Sequence, residues 1–419
     1  MATSTGSAAP AVDLADPRFW QLPAPARSAA FAELRRRPAP VRFADPATGR
    51  GFHALVRHAD VVEASRTPAV FLSGPGVTIP EPVRWVRVLF GDSMVNLDDP
   101  RHAQLRRIIS RAFTPRLLGQ VEEDIRRVAA RLVDDLERRR PEEPGDFVTS
   151  VAAELPFQVI CTMMGIPERP RRAILDQVNH ASEHAGVARP LRRRIRVPGR
   201  GLMALARMQG MVAGIGRERR RRPTEDLISA LVTADVDGRR LSGRELGAFF
   251  SLLLVAGVET TRNALAHGLH LLTVHPEQRA LLLADLDGRL GGAVDEMVRY
   301  ATPIVQFRRT LAVDHELGGP GGPLLRAGEK VALFFGSANR DETVFPDPEV
   351  FDITRTPNPH LGFGGGGPHY CLGAHLARQE MKALFRELFT RLPELRSVGE
   401  PELVPSSFDH RVRSLRFTY

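Results

Sequence analysis

One loop constrains this chain more than anything else in it: Gly362-Phe363-Gly364-Gly365-Gly366-Gly367-Pro368-His369-Tyr370-Cys371-Leu372-Gly373. Glycine at this density admits backbone conformations closed to other residues, and the amphipathic run behind it reads as a helix. The segment therefore holds one sulfur, stiffly, at a helix N-terminus. There the helix dipole and free backbone N–H groups are expected to favour the thiolate over the thiol. The other cysteine, Cys161 in Val159-Ile160-Cys161-Thr162-Met163-Met164, reads as an inert buried residue. Two cysteines so placed build neither a disulfide framework nor a structural zinc site.

A lone thiolate can serve as the single protein bond to a haem iron. Two other readings of the loop compete. Gly362, Gly364 and Gly367 satisfy G-x-G-x-x-G, the dinucleotide fingerprint. Thr356-Pro357-Asn358-Pro359-His360 ahead of it is no buried strand, however, and Pro368 interrupts the turn. Too little chain remains for a dinucleotide-binding half. A cysteine hydrolase, with His369 or His375 as base, also fits the residue types. It leaves the next segment unexplained.

Leu246 to Leu272 is largely apolar and is expected to form one long helix, too short in its apolar part for a membrane span and so buried in a large core. Its centre reads Ala256-Gly257-Val258-Glu259-Thr260-Thr261. An acid beside an alcohol in such a helix is costly unless the groups are used or paired. Gly257, and a threonine hydroxyl bonding back to the Ala256 carbonyl, would loosen the helical ladder there. That opens a groove for small molecules such as O2 and water.

Two further patterns carry charge. Glu296 and Arg299 stand at i and i+3 on one helix face, followed by Tyr300-Ala301-Thr302-Pro303 and, later, Phe351-Asp352-Ile353-Thr354-Arg355. Asp98-Asp99-Pro100-Arg101-His102 opens a helix with acids at its start and proline near the first turn. His102 and Arg106 are i and i+4, and thus share a face. Arg and His donate charge-assisted hydrogen bonds that suit carboxylates.

Together these segments resemble the cytochromes P-450, the haem-thiolate proteins, from about Val12 to the C-terminus. The loop is similar to that family's Phe-Gly…Gly-x-His-x-Cys-x-Gly signature, in a longer variant with Phe363 eight residues before Cys371. Gly367, His369 and Gly373 keep their places. The resemblance implies a mainly α fold with a small β-rich subdomain, the cytochrome P-450 fold. It implies heme b, iron protoporphyrin IX, with Cys371 as axial thiolate and with Phe363, Gly373 and Ala256 beside the cofactor. His102, Arg106, Arg309 (in Phe307-Arg308-Arg309-Thr310) and His369 would meet the propionates. Glu296, Arg299 and Arg355 would form a buried structural triad. The 256–261 segment resembles the family's oxygen-activating motif, with Thr260 as the catalytic hydroxyl and Glu259 as the carboxylate that feeds protons.

The activity so implied is that of a monooxygenase, hydroxylating or epoxidising a mostly apolar small molecule with one atom of O2. No flavin or iron–sulfur segment is fused to the chain, so ferredoxin and ferredoxin reductase are the expected electron donors. A fatty-acid peroxygenase on the same fold is the nearest alternative, although Thr260 with Glu259 argues for the O2-dependent route. A non-catalytic haem-binding protein would need no intact acid–alcohol pair. Substrate choice is expected to rest on Phe71–Asn96, on a lid around Gly186–Met208, and on Phe250, Leu253, Val305 and Phe307. Their apolar content suits a terpenoid, sterol, fatty acyl or macrolide skeleton.

The net charge of +9 invites a nucleic-acid reading, but the cations are spread out and aromatic–basic interleaving is missing. Lys330 and Lys382 are the only lysines, which fits a coding bias towards arginine better than phosphate recognition. Arg217, Arg219, Arg220, Arg221 and Arg222 read as a solvated helix end. Arg189, Arg192, Arg193, Arg194 and Arg196 fall in the expected lid and suit an acidic or carrier-bound substrate. Arg107, Arg111 and Arg378 are expected to give a basic face for an acidic ferredoxin. Residues 1–11 read as a disordered leader without an apolar stretch, ahead of one domain over 12–419. A cytoplasmic monomer, away from membranes and nucleic acid, is the expectation.

Overall fold

The computed structural model describes residues 12–44, 49–79, 93–138, 145–169, 171–175, 199–235, 238 and 240–419. Helices dominate. In chain order they are α1 (Ala24–Arg35), α2 (His58–Arg66), α3 (Arg101–Ala112), α4 (Pro115–Glu137), α5 (Glu154–Met163), α6 (Gly199–Arg221), α7 (Leu227–Thr233), α8 (Gly243–Leu253), α9 (Glu259–Val274), α10 (Pro276–Ala284), α11 (Leu286–Ala301), α12 (Phe335–Ala338) and α13 (Ala374–Arg391). The strands are β1 (Val41–Ala44), β2 (Gly51–Leu55), β3 (Phe71–Leu72), β4 (Gly145–Asp146), β5 (Gln306–Leu311), β6 (His315–Glu316), β7 (Leu324–Leu325), β8 (Lys330–Phe334), β9 (Arg396–Ser397), β10 (Glu402–Leu403), β11 (Val412–Ser414) and β12 (Arg416–Thr418).

The helical core follows from local patterning. In α4 the buried positions Leu117, Val121, Ile125, Val128, Leu132 and Leu136 recur every three or four residues, the stripe that one face of a helix presents. Thr114 caps its start, accepting from the Leu117 amide, with Pro115 in the first turn. That stripe joins residues from α5, α9, α11 and α13 in one large cluster. Each fully buried Leu, Phe or Val there contributes about 1.5–3 kcal/mol. Gly268 lets α9 settle against α11 and α13, because a Cβ at that position would fall 2.7 Å from the Met297 sulfur and 2.9 Å from the Phe385 ring.

The principal sheet has the order β1-β2-β8-β5-β3, with β2 parallel to β8 and the other pairs antiparallel. Its register sets Arg309 opposite Val331. Successive residues of a strand face opposite sides, so Arg308 and Arg309 are sent to opposite faces of β5. Near its end the chain forms two short strands, β11 and β12, which join different partners on either side of Leu415.

The expected single helix over 246–272 is also corrected. α8 runs into a π-helical turn, Leu254–Val258, before α9 resumes. The Thr260 hydroxyl donates to the Ala256 carbonyl at 2.5 Å, competing for a helical acceptor. Gly257 meanwhile lies so close to α5 that a Cβ would meet Ile160 at 2.7 Å. Among the described residues, no helix is long and apolar enough to cross a membrane.

Candidate haem-thiolate site

The loop ahead of α13 is fixed by close approach. Gly367 has φ +73°, and a Cβ there would sit 2.2 Å from the Ser65 carbonyl oxygen of α2, so only glycine fits. The Cys371 amide donates to the Phe363 carbonyl at 2.9 Å and closes the loop on itself. Phe363 thus contacts the cysteine through its backbone, while the Arg378 guanidinium lies over its ring at 4.3 Å.

The expectation that the helix end favours the thiolate is not met. Cys371 is exposed by surface area, yet it is ringed by protein, and that surrounding pushes its thiol up. The Gly373 amide, Arg106 and Arg378 pull the other way without prevailing. The helix begins only at Ala374. Ligation to a metal deprotonates a thiol outright, so a bound metal, rather than the helix, is what would make Cys371 a thiolate. Cys161 lies in the core, and burial drives its thiol up to about 12.

Four basic side chains from three parts of the chain converge beside the sulfur. His102 and Arg106 come from one face of α3, Arg309 from β5, and His369 from the loop. The His102 and His369 rings are 4.1 Å apart. Burial lowers His369 to about 3, with Arg309, His102 and Arg106 adding to the effect. Burial likewise lowers His102, Arg106 and, to about 10, Arg309. Arg309 donates to the Arg308 carbonyl at 2.8 Å, and among the described residues neither it nor Arg106 has a carboxylate partner in salt-bridge contact. A buried cation such as Arg309, with Asp98 acting on it only from beyond contact, is expensive. A ligand bearing two carboxylates, as haem does, fits this cluster.

The acids expected at the start of α3 divide their work. Asp99 accepts from the Ala103 amide at 3.1 Å. Asp98 instead turns back to hold the amides of Ser73 at 2.7 Å and Gly74 at 2.8 Å. Ser73 in turn reaches His369 Nε2 at 3.2 Å.

The π turn leaves Val255 62% exposed and Ala256 exposed as well, between the buried Leu254 and Val258. Such an apolar shelf suits a flat apolar group. Thr260 follows it. Glu259 is buried and paired with Arg262, its Oε2 receiving Nη2 at 2.7 Å. Thr261 hydrogen-bonds Glu380 of α13, whose burial raises its carboxyl to about 8.

Glu296, Arg299 and Arg355 meet as one buried set. Arg299 donates to both Glu296 oxygens at 2.8 Å and to the carbonyls of Asn339, Pro348 and Val350. Arg355 lies 3.4 Å from Glu296. Asp352 N and Asn358 Nδ2 complete the shell at 3.0 and 3.1 Å.

The comparisons agree on the family. The model described as "Cytochrome P450" matches residues 85–393. The chain is 43% identical to a methyl-branched lipid omega-hydroxylase of Mycobacterium tuberculosis, over 97% of this chain and 94% of the relative.

The chain belongs to the cytochrome P-450 family.

A steroid C26-monooxygenase of Mycolicibacterium smegmatis is 36% identical over 88% of this chain and 84% of its own length. Among solved structures, a Mycobacterium marinum cytochrome P-450 in complex with pseudoionone matches with a TM-score of 0.87 and 43% identity, covering 99% of this chain and all of that one. The mainly helical architecture with small sheets is the P-450 fold. The chain is thus a P-450 monooxygenase that binds heme b through a cysteine thiolate, and the family draws electrons from redox partners.

Several expectations need correction. Phe250 and Val305 are packed in hydrophobic cores at 0% and 2% exposure, and Phe307 meets Phe335 and Phe408 edge-to-face. Arg378 is no free docking cation, because its Nε pairs with Asp295 at 2.7 Å. Arg111 reaches the Asp235 carbonyl beyond α7. Of the arginine run ending α6, Arg219 pairs with Asp226 and Arg220 binds the Leu241 carbonyl. The arginine-rich lid, Arg189 to Arg196, lies outside the described residues. Sequence reasoning missed Arg262, whose i+3 spacing from Glu259 was readable. It also missed Arg411, which approaches Glu259 at 3.7 Å, and Asp409, which pairs with Arg411; neither left a local signal.

Proposed function

We propose that this P-450 hydroxylates or epoxidises a methyl-branched lipid, or a terpenoid or sterol skeleton, in the cytoplasm with electrons from a separate ferredoxin and its reductase. The single observation that carries the assignment is the convergence of the half-buried Arg106 and the buried Arg309, neither in salt-bridge contact with a carboxylate among the described residues, with His102 and His369 around Cys371. The names of the relatives, a lipid omega-hydroxylase and a steroid C26-monooxygenase, support the substrate class. So does the pseudoionone bound by the structural neighbour.

Bound haem would supply the activation and reduction of O2. The protein's own residues do the rest. Cys371 would hold the iron, itself positioned by the Phe363 carbonyl contact and the Gly373 amide. His102, Arg106, Arg309 and His369 meet the two carboxylates with charge-assisted hydrogen bonds. Ala256, Phe363 and Gly373 would flank the haem. Thr260 gives up its bond to the Ala256 carbonyl to position protons for O2, and Glu259 feeds them. One oxygen atom enters the substrate and the other leaves as water. The set of Glu296, Arg299 and Arg355 ties α11 to the chain ahead of the loop and supports haem loading.

The test is the reduced protein under carbon monoxide. A red-shifted Soret band is expected in the parent and in Cys161→Ala, and no such band in Cys371→Ala. A band that persists in Cys371→Ala overturns the assignment. Shifts of that Soret band on titration with methyl-branched fatty acids and with steroids then rank the substrate classes.

A further inference from the structure

One turn into α13, Arg378 reaches back towards the cysteine loop and is held there from several sides. Its Nε donates to Asp295 Oδ1 at 2.7 Å and its Nη1 to the Ala374 carbonyl at 3.4 Å. It also hydrogen-bonds the side chain of Tyr370, and its Cζ lies 4.3 Å from the centre of the Phe363 ring. Tyr370 is the residue before Cys371, and the Phe363 carbonyl accepts from the Cys371 amide. The cation is therefore fastened to two residues that frame the sulfur. A bond that only joined α13 to α11 needs neither of those contacts.

Asp295, on α11, is itself oriented by His360. The Gly362 amide donates to His360 Nδ1 at 3.1 Å, so the ring proton sits on Nε2. Nε2 in turn donates to Asp295 Oδ1 at 3.3 Å, the oxygen that Arg378 also holds. Burial works against the Asp295 carboxylate, but these two donors outweigh it and keep its carboxyl below the ordinary range. A Cβ on Gly362 would fall 2.5 Å from Val298, so the loop is seated directly on α11. The side chains of Arg378 and Asp295 are only 27% and 35% exposed, and partly buried charges are screened less than surface ones. Arg106 and Arg378 are the cations that pull the Cys371 thiol down against its burial. Haem carboxylates occupy Arg106 in the function proposed above, which leaves Arg378 as the charge on the loop.

We propose that Arg378 sets the reduction potential of the haem–thiolate pair, and that Asp295, oriented by His360, sets how much of that charge is felt. The inference rests on Cys371 holding the iron. One electron from a reduced iron–sulfur ferredoxin takes the iron from ferric to ferrous and leaves the site one charge more negative. A cation nearby stabilises the more negative state and so raises the potential. The Asp295 carboxylate, one residue further from the sulfur, offsets part of that effect. Arg378 is thus a cation whose strength is trimmed by its partner, and the trimming is fixed by the tautomer of His360.

Potentiometric titration of the holoprotein reads the ferric–ferrous midpoint without turnover, and the reduced carbon monoxide spectrum reports whether the thiolate still binds. Arg378→Gln is expected to keep the red-shifted Soret band while moving the equilibrium about tenfold towards ferric iron, 59 mV for a one-electron couple. Arg378→Lys, which restores the charge, is expected to lie closer to the parent. Asp295→Asn frees the cation from its counter-charge and is expected to shift the midpoint the other way. The double variant, Asp295→Asn with Arg378→Gln, loses both charges and is expected to fall between the two single variants. Midpoints equal to that of the parent in both single variants overturn the proposal. So does a lower midpoint in both, which marks a loosened loop rather than a charge, and so does loss of the Soret band in Arg378→Gln. A parent without that band overturns the ligation by Cys371 itself, and the inference with it.

Discussion

The imidazole rings of His102 and His369 lie 4.1 Å apart, inclined by 31°, although one belongs to α3 and the other to the cysteine loop. Two such rings cannot both be protonated at that separation without strong repulsion. With Arg106 and Arg309 at the same place, the protein has gathered more positive charge than it neutralises. A site of this kind is built for a negative charge that the chain does not itself own.

Arg309→Met tests that reading in two directions at once. Removing a buried cation that lacks a carboxylate partner is expected to leave the apoprotein as stable as the parent or more so. Haem affinity should fall, because a hydrogen bond to a charged group contributes about 1.5–3 kcal/mol, roughly ten- to a hundredfold in affinity. Haem titration of the two apoproteins and their melting temperatures give both numbers. Equal haem affinity would rule out contact between Arg309 and a propionate.

Thr260→Ala removes the 2.5 Å bond to the Ala256 carbonyl but buries no new polar group. Folding and haem content are expected to hold, while electrons drain to hydrogen peroxide instead of product. The measurement is peroxide formed per NADH consumed. Coupling equal to that of the parent would show that the hydroxyl has no part in handling O2.

Glu296 gathers donors from Arg299, Arg355, Asp352 and Asn358. Glu296→Leu leaves the fully buried Arg299 without its carboxylate, a loss of about 3–5 kcal/mol by comparison with other broken buried pairs. Urea denaturation should register it as a large drop in midpoint, together with poor haem retention. A drop below about 1 kcal/mol, the range of exposed pairs, would place this set on the solvated surface in energetic terms.

Glu380 gives a pH signature. Its buried carboxyl titrates near 8 against an ordinary value of 4.5, so the native state keeps a proton that the unfolded chain has already lost. Stability from this residue is therefore complete below about pH 4.5 and declines as pH rises towards 8. Glu380→Gln should match the parent at pH 4.5 and melt higher than it at pH 9. Parallel melting curves across that range would mean that the carboxyl is not held protonated.

How far the sequence revealed this site depended on how local each signal was. The cysteine loop, the acid–alcohol pair and the i, i+4 pair of His102 and Arg106 were readable because each lies within one turn or loop. The meeting of α3, β5 and the loop was legible only through family resemblance, since no spacing links His102 to Arg309. Arg411 and Asp409 were invisible, because a charged residue near the C-terminus says nothing about which helix it will touch. The free Arg378 and the cavity-facing Phe250 were misread for the opposite reason. Helical phase gives a face, but only packing tells whether Asp295 or solvent, core or cavity, stands opposite it.

The π turn at Leu254–Val258 sets a phase. An extra residue in the helical ladder turns everything beyond it by about 100° and moves it about 1.5 Å along the axis. Deleting one residue from that turn would change neither the charge of the protein nor the apolar face of α8. It would nonetheless rotate the whole of α9, taking Thr261 away from Glu380 and Gly268 away from Phe385, and carrying Thr260 off its present bearing. The side chains of α9 owe their directions to a count of residues upstream of them, and a chain one residue shorter would keep every one of those side chains while aiming none of them as now.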